Sequence, residues 1–131
     1  MQLQRWRSFA VWLLAETDRD LLHEILNYIA AELHKSFSPI FSPAISGEDK
    51  AKAIANVSNK FDYINGLLSD DRSYLLGDEF TVADAYLLVM INWANHFSIS
   101  MDKWSNLSAF AGRVGARENV QTALKAEGLL N

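Results

Sequence analysis

Between Val82 and Phe97, apolar side chains (Val82, Ala85, Tyr86, Leu87, Leu88, Val89, Met90, Ile91, Trp93 and Phe97) fall on almost every side of a helical wheel. Such a helix is covered by neighbours around most of its circumference, and this one is expected to be the hub of the fold. A capping box opens it. Thr81 stands three residues before Asp84, so the hydroxyl can accept from the Asp84 backbone N–H while the carboxylate reaches back to the Thr81 N–H. The carboxylate also lies in the first turn, where the helix dipole favours negative charge. Thr81 and Asp84 are therefore read as a structural capping box, and Asp84 not as a catalytic acid.

The flanking segments repeat the helical period with narrower stripes. Leu3, Trp6, Phe9 and Leu13 predict a helix from Gln2 to Glu16. Thr17 and Asp20 form a second capping-box pattern, predicting a separate helix from there to about Phe37 with Leu22, Ile25, Leu26, Ile29, Leu33 and Phe37 as its core face. Pro39 and Pro43 end it, because a residue preceding proline avoids the α region. Ser46 then caps a helix to Leu68, whose Ile54, Val57, Phe61, Ile64 and Leu68 make a seam suited to antiparallel packing. Ser98 to Trp104 reads as a loop. Asn106 is positioned to cap a helix carrying Leu107, Phe110, Ala111 and Val114, and a last helix from Asn119 to about Glu127 carries Val120, Ala123 and Leu124 before Gly128. No stretch alternates polar and apolar residues as a strand would. The expected fold is all-α, an orthogonal or up-down bundle of five to six helices in a single domain over residues 1–131.

Composition narrows the function. Half of the 131 residues are hydrophobic, enough for a core and too many for disorder. The formal charge of −4 argues against nucleic acid as a partner, since phosphates need a basic surface. With no cysteine, the chain offers no disulfide, thiolate metal site or thiol nucleophile. His23, His34 and His96 lack metal-ligand spacing, and Asp70, Asp71, Asp78 and Glu79 lack the alternation of a calcium loop, so no metal site is expected. The apolar run Phe9–Ala15 is far short of the roughly 20 residues that span a bilayer, and no A-x-A cleavage site follows it. The expectation is a cytoplasmic chain with no membrane partner.

Candidate chemistry lies on the helix leading to Phe37. Asn27, Ala31 and His34 are spaced i, i+4, i+7 on a face away from the core stripe, with Lys35 beside them. His34 can donate or accept a proton near neutrality, although a lone helical histidine is more often a boundary residue. Spacing leaves both readings open.

Three stretches carry a family resemblance. "YLLGDEFTVADAYLL" resembles the Gly-Asp-x-x-(Ser/Thr)-x-Ala-Asp signature of the C-terminal helical domain of glutathione S-transferases. "LNYIAAELHKSFSPIF" resembles the first helix of that domain in bacterial beta-class-like members, and "AFAGRVGARENVQTALKAEGL" resembles its last two helices. The match covers residues 18–131. Residues 1–17 fall outside it, and nothing in the sequence corresponds to the family's preceding thioredoxin-like domain. The resemblance implies that His34 and Lys35 lie at the active site, His34 as the candidate catalytic residue. It further implies that Asn27, Ala31, Glu32, Leu33, His34 and Lys35 help to hold glutathione across a dimer interface. One or two tryptophans would then line a pocket for apolar co-substrates. No cofactor is implied, and glutathione is expected as a substrate only where a thioredoxin-like domain is supplied. The expected partners are a second copy in a homodimer, a separate thioredoxin-like domain, or an apolar small molecule. The expected function is that of a transferase-related domain without conjugating activity of its own, whether a remnant, a recombined product or half of a two-chain enzyme. The alternatives are a protein-interaction or scaffolding module and a carrier of apolar ligands.

Overall fold

Five α-helices form in the computed structural model, which describes residues 11–126: α1 (Val11–Tyr28), α2 (Gly47–Leu67), α3 (Val82–His96), α4 (Ser105–Gly115) and α5 (Glu118–Ala126). Among the described residues there is no strand, only an isolated bridge between Tyr74 and Gly77. No described helix is long and apolar enough to cross a membrane. Most of the expected helix from Gln2 to Glu16 and the expected Gly128 stop lie outside the described residues.

The predicted break at Thr17 is absent. Thr17 and Asp20 sit inside the continuous helix α1, because the segment between Val11 and Tyr28 contains neither proline nor glycine to turn the chain out of the helix before Thr17. Nor does this helix run to Phe37 in uniform α geometry. From Ile29 to His34 it widens into a π-helical turn, after which Ser38–Phe41 forms a 3₁₀ turn. The wide turn keeps Ile29, Leu33 and Phe37 fully buried. Buried Ser36 donates its hydroxyl to the Leu33 carbonyl at 2.5 Å, providing that carbonyl with a partner where the regular ladder is disturbed.

The α2 helix starts as predicted: Ser46 Oγ accepts from the Asp49 N–H at 3.1 Å. Val57, Phe61, Ile64 and Leu68 are buried along its seam. By contrast, α4 begins at Ser105, one residue before the expected cap. Its cap comes from α2 instead: Asn65 Oδ1 accepts from the Leu107 N–H at 3.1 Å, while the Asn106 side chain donates to the Asn65 carbonyl at 3.1 Å. A third bond, from Trp104 Nε1 just before α4 to Asp62 of α2, ties the same region together. On α5, Val120 is buried but Ala123 is exposed, so its apolar face is narrower than the sequence suggested.

The α3 helix packs on α1, the π-turn and α4. Ala83, Asp84, Leu87, Leu88, Met90, Ile91 and Ala94 are buried, but of the ten apolar positions expected to be covered, Val82 is exposed and Ala85, Tyr86, Val89, Trp93 and Phe97 are only half-buried. Its start is a clamp. Asp84, with no exposed surface, accepts from the Thr81 N–H through Oδ2 and from the Leu75 N–H through Oδ1, both at 2.8 Å. The carboxylate is the strong arm of this capping box, since the Asp84 N–H bonds to the Thr81 carbonyl at 3.0 Å and the Thr81 hydroxyl is 3.4 Å from Oδ2. The clamped loop turns tightly at Gly77, where φ is +125° and mutual backbone bonds of 2.9 and 3.0 Å join it to Tyr74. Arg117 closes the far side. Its guanidinium lies 4.3 Å over the Phe80 ring and donates to the Tyr74 hydroxyl at 2.9 Å.

Candidate functional site

His34 is the last residue of the π-turn. A widened turn advances each residue by a smaller angle than an α-turn, so the i, i+4, i+7 register of Asn27, Ala31 and His34 does not persist through it. The structure accordingly divides the candidate residues between two surfaces. Ala31, Glu32 and Lys35 line a groove of about 670 Å³ against α2, together with Lys52 and Lys60. Within it Glu32 pairs with Lys60 at 3.0 Å, both partly exposed, a contact of small energetic weight. Asn27 lies exposed on α1, before the widened turn begins. Leu33 is fully buried, so its side chain belongs to the core and not to either surface.

His34 faces the other way, onto α3. Its Nδ1 lies 2.5 Å from the Tyr86 hydroxyl, and its ring stands edge-on to those of Trp93 (4.9 Å between centroids) and Tyr86 (5.8 Å). Trp93 in turn meets Phe37 at 5.6 Å and Phe41 at 4.9 Å, and Phe41 meets Phe97 at 5.1 Å. Phe41 is 52% exposed although apolar. The result is an open aromatic wall with one imidazole at its edge and the Lys35 ammonium on the next residue. Burial pushes the Tyr86 phenol above its ordinary value of 10.0, so at neutral pH it is protonated and able to donate.

Sequence reasoning found His34 and Lys35 but not Tyr86, Trp93 or Phe41 as its companions. The signal was hidden in the apolar circumference of α3. Val82, Tyr86, Val89 and Trp93 follow the spacing i, i+4, i+7, i+11, and all four are exposed or half-buried. Uniform hydrophobicity concealed a stripe that the described residues leave only partly covered.

The sequence model described as "Glutathione S-transferase, C-terminal domain" matches residues 28–118, which hold the π-turn, the α3 clamp and the aromatic wall. Glutathione S-transferase GstA of Escherichia coli O157:H7 is 42% identical over 106 residues, which are 81% of this chain and 52% of that protein. Among solved structures, a sphingomonad glutathione S-transferase complexed with glutathione is similar at a TM-score of 0.78 and 41% identity, over 86% of this chain and 55% of that one. The beta-class glutathione S-transferase of Sphingomonas chungbukensis gives a TM-score of 0.79 at 41% identity, over 86% and 56% respectively. The chain spans about half the length of the relatives it matches.

Proposed function

Because this chain belongs to the glutathione S-transferase family through its C-terminal helical domain, we propose that the face around His34 is one wall of a glutathione-conjugating site, completed by a thioredoxin-like domain. The observation that carries this reading is the convergence of His34 and an exposed aromatic wall at the end of one widened helical turn. Each part has a use in conjugation. His34 supplies a polar hydrogen at the edge of an apolar surface and Trp93 with Phe41 offers flat apolar area to an electrophile, while Lys35, in the groove on the other side of the turn, carries a charge that attracts a carboxylate. The sphingomonad relative solved with glutathione supports the choice of thiol substrate.

A transferase must lower the thiol pKa and hold the thiolate against its electrophile, and both tasks need donors close to sulfur. The exposed face supplies few. The 131-residue chain by itself therefore binds glutathione more weakly than about millimolar, since a few contacts on an open surface must offset the immobilisation of a flexible tripeptide. Calorimetric titration of the chain with glutathione, alongside an aryl halide conjugation assay, tests this. No saturable heat and no turnover above background are expected. Micromolar binding, or turnover that His34→Ala abolishes, would mean that the helical chain holds a complete site.

A further inference from the structure

The contact between Tyr86 and His34 fixes which ring nitrogen carries the proton. The two groups come from different elements, the π-turn and the second turn of α3, and lie 52 positions apart in sequence. Two arrangements satisfy a hydrogen bond between a phenol and Nδ1: either the phenol donates to a bare Nδ1, or a protonated Nδ1 donates to the phenol oxygen. The geometry and chemistry favour the first. An imidazole nitrogen is a much better acceptor than a phenol oxygen, whose lone pair is delocalised into its ring. Among the described residues the Tyr86 hydroxyl bonds only to His34, so the first arrangement also gives the phenolic hydrogen its acceptor. Trp93, edge-on at 4.9 Å, and the Tyr86 ring, edge-on at 5.8 Å, limit rotation of the imidazole away from this contact.

We infer that Tyr86 is a positioning residue which holds neutral His34 with its proton on Nε2, turning the free edge of the ring into a hydrogen-bond donor. A ring so held cannot take a proton through Nδ1 without breaking its bond to Tyr86. It presents Nε2–H to whatever occupies the wall. The ligand class that fits is one with a hydrogen-bond acceptor at that edge, a thiolate or other anion in place of a neutral thiol awaiting a base. That functional consequence rests on the transferase reading above, whereas the tautomer does not.

The test reads the ring directly. In the ¹⁵N-labelled chain, two-dimensional ¹⁵N–¹H correlation across the His34 ring, at a pH where the imidazole is neutral, gives separate shifts for the two nitrogens. The expected wild-type spectrum has Nε2 in the protonated range and Nδ1 in the range of a hydrogen-bonded acceptor. Tyr86→Phe keeps the aromatic ring and removes only the hydroxyl. It should move Nδ1 to the value of a free acceptor and admit a measurable share of the Nδ1–H tautomer, with the thermal unfolding transition retained. His34→Gln, assigned in parallel, identifies the His34 signals by their loss. A wild-type proton on Nδ1, or ring shifts that Tyr86→Phe leaves unchanged, would overturn the assignment whatever the chain does with glutathione. If Tyr86→Phe does not fold, the wild-type spectrum alone still decides between the two tautomers.

Discussion

Asp84 and Thr81 share one motif but carry unequal shares of the α3 clamp. In Thr81→Ala the carboxylate still receives the residue-81 N–H at its Oδ2, so the loss should fall near the low end of the usual capping range, about 0.5 kcal/mol. Asp84→Ala leaves the Leu75 and Thr81 N–H groups without their acceptor in the interior, and should cost several times as much, roughly 2–4 kcal/mol. Urea midpoints that rank the two variants in the opposite order would contradict this division. Titration gives a second check. Burial raises the Asp84 carboxyl above its ordinary 3.8, against the lowering effect of the Leu75 and Thr81 bonds and of Arg117. The folded protein thus takes up this proton at higher pH than the unfolded chain. The cost of ionising Asp84 in the fold is fully present above the raised value, and is relieved as pH falls from there towards 3.8. Asp84→Asn does not titrate, so wild-type stability relative to that variant should rise as pH falls through this window. Asp70, held at about 2 by the Arg72 guanidinium, titrates in both proteins and cancels in the comparison. A difference that shrinks on acidification would reverse the assigned direction. The box was legible in sequence because capping is local. The Leu75 bond, nine residues upstream, was not.

Helix starts were legible where a local cap formed, as for α2 with Ser46 and α3 with Thr81, whereas the equally local pattern of Thr17 and Asp20 lies inside α1 and starts nothing. They were missed where a neighbouring element intervened. The start of α4 is capped by Asn65 of α2, a donor–acceptor pairing no pattern within residues 105–115 could reveal. Asn65→Ala should therefore destabilise by about 1 kcal/mol although Asn65 lies near the end of a different helix. Amide exchange should show the Leu107 N–H losing protection, and unchanged protection there would refute the cap. Similarly, Gly77 stands in the loop that Asp84 clamps, with φ at +125°, a conformation that side chains rarely adopt. Gly77→Ala should cost roughly 1–3 kcal/mol from backbone strain alone, since open space surrounds the added methyl. A melt matching wild type would show that the loop relaxes freely. The π-turn also escaped prediction, and with it the division of Ala31, Glu32 and Lys35 from His34 between two surfaces. Its effect is to send His34 to α3 while Ala31 and Lys35 face α2.

Among the described residues, one core joins the π-turn and α2 to α5, from Ile29 through Phe61 and Met90 to Phe110 and Val120, with Leu22, Ile25 and Leu26 of α1 packed against it, while an aromatic face stays open beside His34. That combination suits a domain whose uncovered wall is used together with another surface. The proposed function requires this wall to contribute chemistry once the rest of a transferase site is supplied. The direct measurement is the rate of glutathione conjugation to an aryl halide by the chain fused to a thioredoxin-like domain of a related transferase, compared with the same fusion carrying His34→Ala. Activity in the fusion beyond that of the separate parts is expected, with a fall in the variant while folding stays intact. Activity in the fusion that His34→Ala leaves unchanged would contradict it.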